Sequence, residues 1–496
     1  MTDWAEEFDV VVCGFGGAGT AAAIEAHDQG ARVLVVEKSL EGGGSTAESG
    51  GSIPTILDRD RAVEHYVGLT EGRTPRDVID AYVAAVEEIP AWVEGNGGAF
   101  EMLPMNLPPF PTRFEGTAYE NIPGSEGIGD RRRIREEGVS HGGTSLWNFL
   151  KANFEHRGIE VRLGTPARRL IQDRDGSVAG VEVDANGERR RIRARRGVVL
   201  ATGGFSYGHD MLREYVGVVL PGFGPPGRNT GDGIRMAMQA GADLWHMNSI
   251  AAGFGYQVPG VGAAWMCRLQ AYGFFIVDST GRRFLNEPTV EHHAAGNALV
   301  VRDFRTGSFP RLPSYIIFDE RTRLAGKVAT NEAGANRVLV WSDDNEDEIA
   351  KGWISRGETI DELAGAVGLP AEPLAQTLAA FNRAAAEGGD EFGRRRDQMV
   401  ALDQLPYYAI AVMPSLFNTQ GGPRRDPQAR VVGIDGQAIP GLFSAGELGS
   451  IWVSLYPGAG NVPEAIAFGR IAGRSAAQRL VTSRVPVPPG GAGERP

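Results

Sequence analysis

Cysteine is almost missing: Cys13 and Cys267 are the only two among 496 residues. That is too few for a disulfide framework, a cysteine-built zinc site or a cysteine-ligated iron–sulfur cluster, so a reducing, cytoplasmic setting and no metal are expected. Lysine is nearly as scarce, with Lys38, Lys151, Lys327 and Lys351 set against a large excess of arginine. Even with that arginine, positive charge is in deficit: the formal net charge is −12. Phosphate-neutralising partners need clustered cations, which excludes nucleic acid as the default ligand. A long apolar helix is lacking too. Met247 to Cys267 is uncharged and as long as a membrane span, but Gly253, Gly255, Pro259, Gly260 and Gly262 interrupt it. A loop-rich, pocket-lining segment is expected there, and no transmembrane segment. Met1-Thr2-Asp3-Trp4-Ala5-Glu6-Glu7 has no basic stretch before an apolar run, so no secretory signal is expected.

Glycine, in contrast, is abundant at 69 residues without an internal repeat, as in a chain whose turns bring backbone close to a large ligand. The length exceeds what one hydrophobic core usually holds. Phe8 to Cys13 is a β-branched run fit for a strand buried on both faces, and Gly14-Phe15-Gly16-Gly17-Ala18-Gly19 follows it directly. An alanine-rich helix is expected over Thr20 to Gln29, then a second strand from Arg32 to Val36 ending at Glu37. A further helix is expected over Ser145 to Gly158, strands within Glu160 to Val183, and a buried strand over Arg191 to Thr202. The texture changes near residue 249 and returns late in the chain. The expectation is an α/β protein with a discontinuous Rossmann-like dinucleotide-binding domain made of residues 1–248 and 416–484. An α+β domain is inserted at 249–415, and a frayed tail covers 485–496.

The G-x-G-x-x-G element is informative because of its setting, after a strand, at the head of a helix and with an acidic residue about 20 positions on. Gly14 permits the tight turn, Gly16 lets backbone approach a pyrophosphate, Gly19 allows close packing, and the helix N-terminus attracts the anion. Glu37 would accept ribose hydroxyls. Gly222-Phe223-Gly224-Pro225-Pro226-Gly227 fits the same pattern but has no strand before it and prolines where a helix would start, so it is set aside.

Glu37-Lys38 and Gly42-Gly43-Gly44-Ser45-Thr46-Ala47-Glu48-Ser49-Gly50-Gly51 resemble the second glycine-rich segment of FAD enzymes in the fumarate reductase/succinate dehydrogenase and 3-ketosteroid dehydrogenase flavoprotein superfamily. The resemblance continues through Ala201-Thr202-Gly203-Gly204-Phe205, Thr230-Gly231-Asp232-Gly233, Gly281 to Glu287, Thr419-Gln420-Gly421-Gly422, Gly441 to Glu447 and Ala467 to Gly473. It implies an FAD-binding domain with an inserted catalytic, capping domain. Gly14, Gly16, Gly17, Ala18, Gly19, Glu37, Lys38, Ser45, Thr46, Ser49, Gly50, Gly51, Ala201, Thr202, Gly203, Gly204, Asp232, Gly446, Glu447, Asn461 and Val462 would hold the cofactor. Covalent attachment in the succinate dehydrogenase branch uses a histidine near the serine-glycine segment. Here the nearest are His27 and His65, outside it, so non-covalent FAD is expected.

Fumarate-type members use C-terminal histidines and an arginine four residues after the Glu of Arg-Phe-x-x-Glu. Here histidines end at His293, and Glu291 stands four residues after Glu287. A carboxylate cannot act as a cationic proton donor that also attracts a dianion. Ser454 to Asn461, in contrast, is similar to the Tyr-Pro-Gly-x-Gly motif of 3-ketosteroid dehydrogenases, implying that Tyr456 and the N–H of Gly460 bind a ketone oxygen. The implied activity introduces a C=C bond next to the carbonyl of a cyclic ketone, a 3-ketosteroid or a smaller oxocyclohexane-type substrate. An α-proton is abstracted and a β-hydride goes to the flavin; the electron acceptor is left open. Those dehydrogenases carry a tyrosine base where Glu291 stands, so Glu291 is the first candidate base and His292 the second. Tyr119, in a segment similar to the family's tyrosine-and-proline loop, would support the base. Arg113 and Arg268 are candidates to hold a substrate carboxylate, and Arg131-Arg132-Arg133 reads as a solvated run. The alternatives are a flavoprotein reducing an activated C=C bond, as fumarate reductases do, or a flavin-binding protein without turnover.

Overall fold

The computed structural model describes residues 3–103, 119–291, 293–329 and 340–480. β1 (Glu6–Cys13) is buried from Phe8 onward; its valines suit burial on both faces, and Asp9, the charged residue in that stretch, accepts the Arg32 N–H at 2.9 Å and pairs with Arg195 at 3.1 Å. It lies parallel to β2 (Val33–Val36) through Val10↔Val33 to Cys13↔Val36. The crossover is α1 (Gly17–Asp28), whose alanine-rich surface is buried from Gly17 to Ala26. Glu160–Arg162 extends the sheet parallel to β2. On the other side of β1 lies β3 (Glu188–Leu200), also parallel, while Ala167–Gln172 and Val178–Ala185 form an antiparallel flap on its first half.

A second, antiparallel sheet has the order Ala264–Met266, β4 (Ile250–Gln257), β7 (Tyr407–Thr419), β6 (Ser314–Asp319) and β5 (Phe274–Val277), so β7 is central. Helices Ile360–Val367 and Ala371–Glu387 cover it through Leu363, Leu374 and Phe381 against Phe275 and Ile317. This corrects the loop-rich reading of Met247–Cys267. Without charges the run supplies a strand buried on both faces, and Gly255 is a flat strand position where a Cβ would stand 2.5 Å from that of Ser415. Pro259 and Gly260 make the turn back. The pocket-lining part of the expectation holds at Met266.

The chain then re-enters the first sheet. β8 (Ala438–Ser444) pairs parallel with β3 through Leu442↔Val198 to Ser444↔Leu200. α2 (Asn461–Gln478) then packs on α1 so closely that a Cβ on Gly473 would meet the Ala22 carbonyl oxygen at 2.2 Å. The protein is thus mixed α/β, and the ends of β1, β3, β7 and β8 converge on one cavity. Among the described residues no helix is long and apolar enough to cross a membrane.

Candidate active site

The cavity holds about 930 Å³, near the top of the ~300–1,000 Å³ range of small-molecule sites. One end is built of tight turns. After Cys13 the chain bends at Gly14 (φ +111°), where a Cβ would lie 2.3 Å from the Ala201 carbonyl oxygen. Gly19 sits beneath, its Cβ position only 1.9 Å from the Gly14 oxygen, whereas Gly16 has nothing nearer than 3.6 Å and faces the cavity with Gly17 and Ala18. Glu37, at the end of β2, accepts N–H bonds from Phe15 and Ser39 at 2.8 Å each, which fixes its carboxylate in the wall with lone pairs to spare. Lys38 donates to Thr230 (2.7 Å) and Asp232 (3.0 Å). The serine-glycine segment is pinned by Gly17 N–H to Thr46 Oγ1 (3.1 Å), Asn229 to Ser45 (2.8 Å) and Gly51 N–H to Ser49 Oγ (3.1 Å). Gly50 and Gly51 pass along the wall beside it.

From the far side come Ala201, Thr202 and Gly203 after β3, Glu447 after β8, and Asn461 and Val462 in the first turn of α2. Thr202 Oγ1 is buried with no hydrogen-bond partner among the described residues. Glu447 accepts the Thr419 N–H at 3.1 Å, and burial pushes its carboxyl up to about 7. Gly19, Gly204, Asp232 and Gly446 stand behind the wall, where they shape it. A Cβ on Gly204, for instance, would overlap Thr419 Oγ1 at 2.1 Å.

The other end carries the polar groups. Tyr456 is buried in the wall and its Oη accepts the N–H of Gly460 and of Asn461, both at 2.9 Å, so the phenol caps the N-terminus of α2. Burial raises its pKa, which keeps the hydroxyl protonated. Gly460 was expected to offer its N–H to the ligand directly. It lies behind the wall instead, and that N–H is engaged by Tyr456. The 291–293 turn also differs from expectation. The residue in the wall is His293, with its ring 4.6 Å from that of Tyr456 and 5.2 Å from that of Phe417. Glu291 stands behind it, its Oε1 2.8 Å from His293 Nδ1 and its Oε2 accepting the His293 N–H at 2.8 Å. Burial, with Arg131 nearby, lowers the His293 pKa to about 3, so the imidazole is neutral. Tyr119 packs behind the wall at φ +61°; burial, with Glu291 nearby, raises its hydroxyl's pKa. His292, Arg113 and the loop residues 114–118 lie outside the described residues.

Arg131 and Arg133 correct the reading of a solvated arginine run. They belong to the strand Ile128–Ile134, held between Ile53–Ile56 and Phe100–Met102, and the two-residue strand period places both on the cavity side. Arg131 donates to the Pro457 carbonyl at 3.3 Å, beside Tyr456. Arg268 also reaches the wall.

Residues 9–462 match the family model described as FAD binding domain. The chain belongs to that family. A 3-oxosteroid 1-dehydrogenase from Mycobacterium tuberculosis is 30% identical, over 94% of this chain and 98% of that protein. A 4-oxocyclohexanecarboxylate 2-dehydrogenase from Sinomonas cyclohexanicum is 27% identical, over 95% and 93%. The structure of a 3-ketosteroid Δ1-dehydrogenase from Sterolibacterium denitrificans has a TM-score of 0.81 at 24% identity, covering 95% of this chain and all of that one, a likeness of fold.

This FAD-binding family member is therefore an FAD-dependent oxidoreductase related to ketone dehydrogenases. The cavity suits the cofactor. Helix α1 aims its N-terminus at a glycine-floored wall, Glu37 is fixed as an acceptor, and Thr202 offers a buried hydroxyl that has no protein partner among the described residues. Sequence reasoning missed His293 and Arg131; the available signals were adjacency to Glu291 and the i, i+2 spacing of the arginines.

Proposed function

We propose that the protein desaturates a cyclic ketone between its α and β carbons. FAD would be held without a covalent bond in a Rossmann-like domain formed by residues 1–248 and 416–484, capped by residues 249–415. The observation that carries this reading is the pairing of a hydroxyl donor with basic groups on one wall: Tyr456 packs ring to ring with His293, which is backed by Glu291. Both N–H bonds to Tyr456 Oη leave its own proton to be donated, so it can hold a ketone oxygen and the charge that grows there as the α-proton leaves. Gly460 and Asn461 polarise that donor from behind, adding the positive end of α2. A base from the 291–293 turn takes the α-proton. Oxidised FAD, when bound, supplies the acceptor for the β-hydride.

Arg131 and Arg268 in the wall lead us to favour a ring ketone that carries a carboxylate over a neutral steroid, because a guanidinium can bind a carboxylate through two parallel N–H bonds. The test is an anaerobic titration of the holoprotein, following flavin absorbance, with 4-oxocyclohexanecarboxylate and separately with a 3-ketosteroid. Bleaching by the carboxylate ketone is expected. Bleaching by the steroid alone would overturn the substrate assignment, and silence with both would overturn the desaturase reading.

A further inference from the structure

We infer that Phe223 limits the length of the ketone this cavity accepts, standing as a fixed aromatic wall beyond the oxygen-binding tyrosine. This rests on the ketone-desaturase reading and adds to it the size of the substrate. Phe223 is 9% exposed, yet it lines the cavity. It stands at the far end of a row of wall rings that begins at Tyr456. Successive centroids lie 4.6 Å apart from Tyr456 to His293, 5.2 Å from His293 to Phe417 and 5.0 Å from Phe417 to Phe223, the last pair edge to face at 83°. With its oxygen at Tyr456, a one-ring ketone spans the near members of this row. A ligand of several fused rings, laid along the same wall, is long enough to reach Phe223.

The loop that carries Phe223 is pinned on both sides. The Phe223 N–H donates to the Leu416 carbonyl at 2.8 Å, and the Gly222 carbonyl accepts the Ala264 N–H at 3.0 Å, which ties the loop to β7 and to the strand Ala264–Met266. Tyr207 Oη donates to the Gly224 carbonyl. A Cβ on Gly222 would lie 2.6 Å from the Tyr207 ring, and that ring is itself held by its hydroxyl, so the close pass needs glycine. The glycine pattern over residues 222–227 therefore serves a turn beside an aromatic ring. Further along, Arg228 pairs with Glu41 and Asn229 donates to Ser45 at 2.8 Å, at the glycine-built end of the cavity. A loop anchored to both ends of the cavity cannot swing Phe223 aside, and Phe417 packs against one flank of its ring. A long ligand therefore meets this ring rather than displacing it.

The test compares flavin-loaded wild type, Phe223→Leu and Phe223→Ala with ketones of increasing length: 4-oxocyclohexanecarboxylate, a fused two-ring decalone and a 3-ketosteroid. Anaerobic stopped-flow bleaching gives a specificity constant for each, and calorimetry on the dithionite-reduced holoproteins gives dissociation constants without turnover. Wild type should prefer the one-ring ketone. The steroid-to-one-ring ratio of specificity constants should rise about 10-fold or more in Phe223→Ala and less in Phe223→Leu, with the decalone between the two ligands. A packing role alone would lower flavin content or the unfolding midpoint without moving this ratio. Phe223→Leu carries the comparison should Phe223→Ala lose its flavin. An unchanged ratio in the flavin-loaded variants would overturn the role of Phe223, as would wild type that bleaches with the steroid as readily as with the one-ring ketone; both outcomes leave the desaturase reading standing. If no ketone bleaches any of the proteins, the desaturase reading falls and calorimetry decides on Phe223. A ratio of dissociation constants shifted about 10-fold toward the steroid in Phe223→Ala then retains it as a limit on ligand length, and an unchanged ratio overturns that too.

Discussion

A single phenol does two jobs at the residue scale. Tyr456 Oη closes the first turn of α2 by accepting from Gly460 and Asn461, and in the proposed function its own proton is donated to the ketone oxygen. Tyr456→Phe separates the two. The variant should keep its yellow flavin, since the glycine-turn end of the cavity lies on other elements, and should desaturate about 10²-fold more slowly or worse, as expected for loss of one oxyanion donor. It should also unfold at lower urea, because two buried N–H groups lose their acceptor at ~1–3 kcal/mol each. Stopped-flow bleaching and a urea titration read the two effects, and wild-type turnover in the variant would remove Tyr456 from the mechanism. Tyr456 was legible because its motif fixes the residue type and spacing. His293 was not: Glu291, His292 and His293 are consecutive polar residues on an irregular turn, and no period says which one faces inward. Arg131 was hidden for the opposite reason. Three arginines in a row look solvated until a neighbouring strand on each side imposes the two-residue alternation.

At the scale of elements, the turn from β1 into α1 forms the glycine-built end of the cavity, and its glycines answer to different forces. A Cβ on Gly19 would lie 1.9 Å from the Gly14 carbonyl oxygen and cannot be relieved by a flexible side chain, whereas one on Gly16 meets nothing closer than 3.6 Å but enters the cavity. Gly19→Ala should therefore destabilise the protein by ~1–3 kcal/mol, the usual cost of overpacking, and lose flavin with it. Gly16→Ala should leave the urea midpoint near wild type and lower flavin content alone. Bound flavin per chain and apoprotein unfolding measure both, and equal unfolding midpoints for the two variants would contradict this division. This strand–turn–helix unit was readable because burial of β1 on both faces, the glycine turn and the alanine-rich helix agree locally. The second sheet was not. β4 contains Gly253 and Gly255, which look like breakers in isolation, and only the closeness of Ser415 on β7 explains them.

Buried titratable groups tie the whole molecule's stability to pH. His246 stacks on Trp245 at 4.6 Å between ring centroids, its Nδ1 lies 2.9 Å from the Ser450 carbonyl oxygen, and burial lowers its pKa to about 4. It links the segment before β4 to the loop that carries Tyr456. In the unfolded chain this histidine titrates near 6.5. Below that pH the unfolded state binds more protons than the folded one, so stability falls as pH falls; the contribution is complete above about 6.5 and is lost progressively toward 4. Glu447, raised to about 7, works the other way: it favours the folded state at low pH and loses that contribution as pH rises through 7. A bare acid-denaturation curve mixes these signs, but comparison with His246→Gln isolates one of them. The amide can still donate to Ser450, does not titrate, and leaves Glu447 and His293 common to both proteins. The variant should be the less stable at pH 7.5, and the gap in unfolding free energy should close by about 2 kcal/mol between pH 6.5 and 5. Urea titrations of both apoproteins across that window measure it. Parallel curves would mean that His246 binds its proton equally in the folded and unfolded chains.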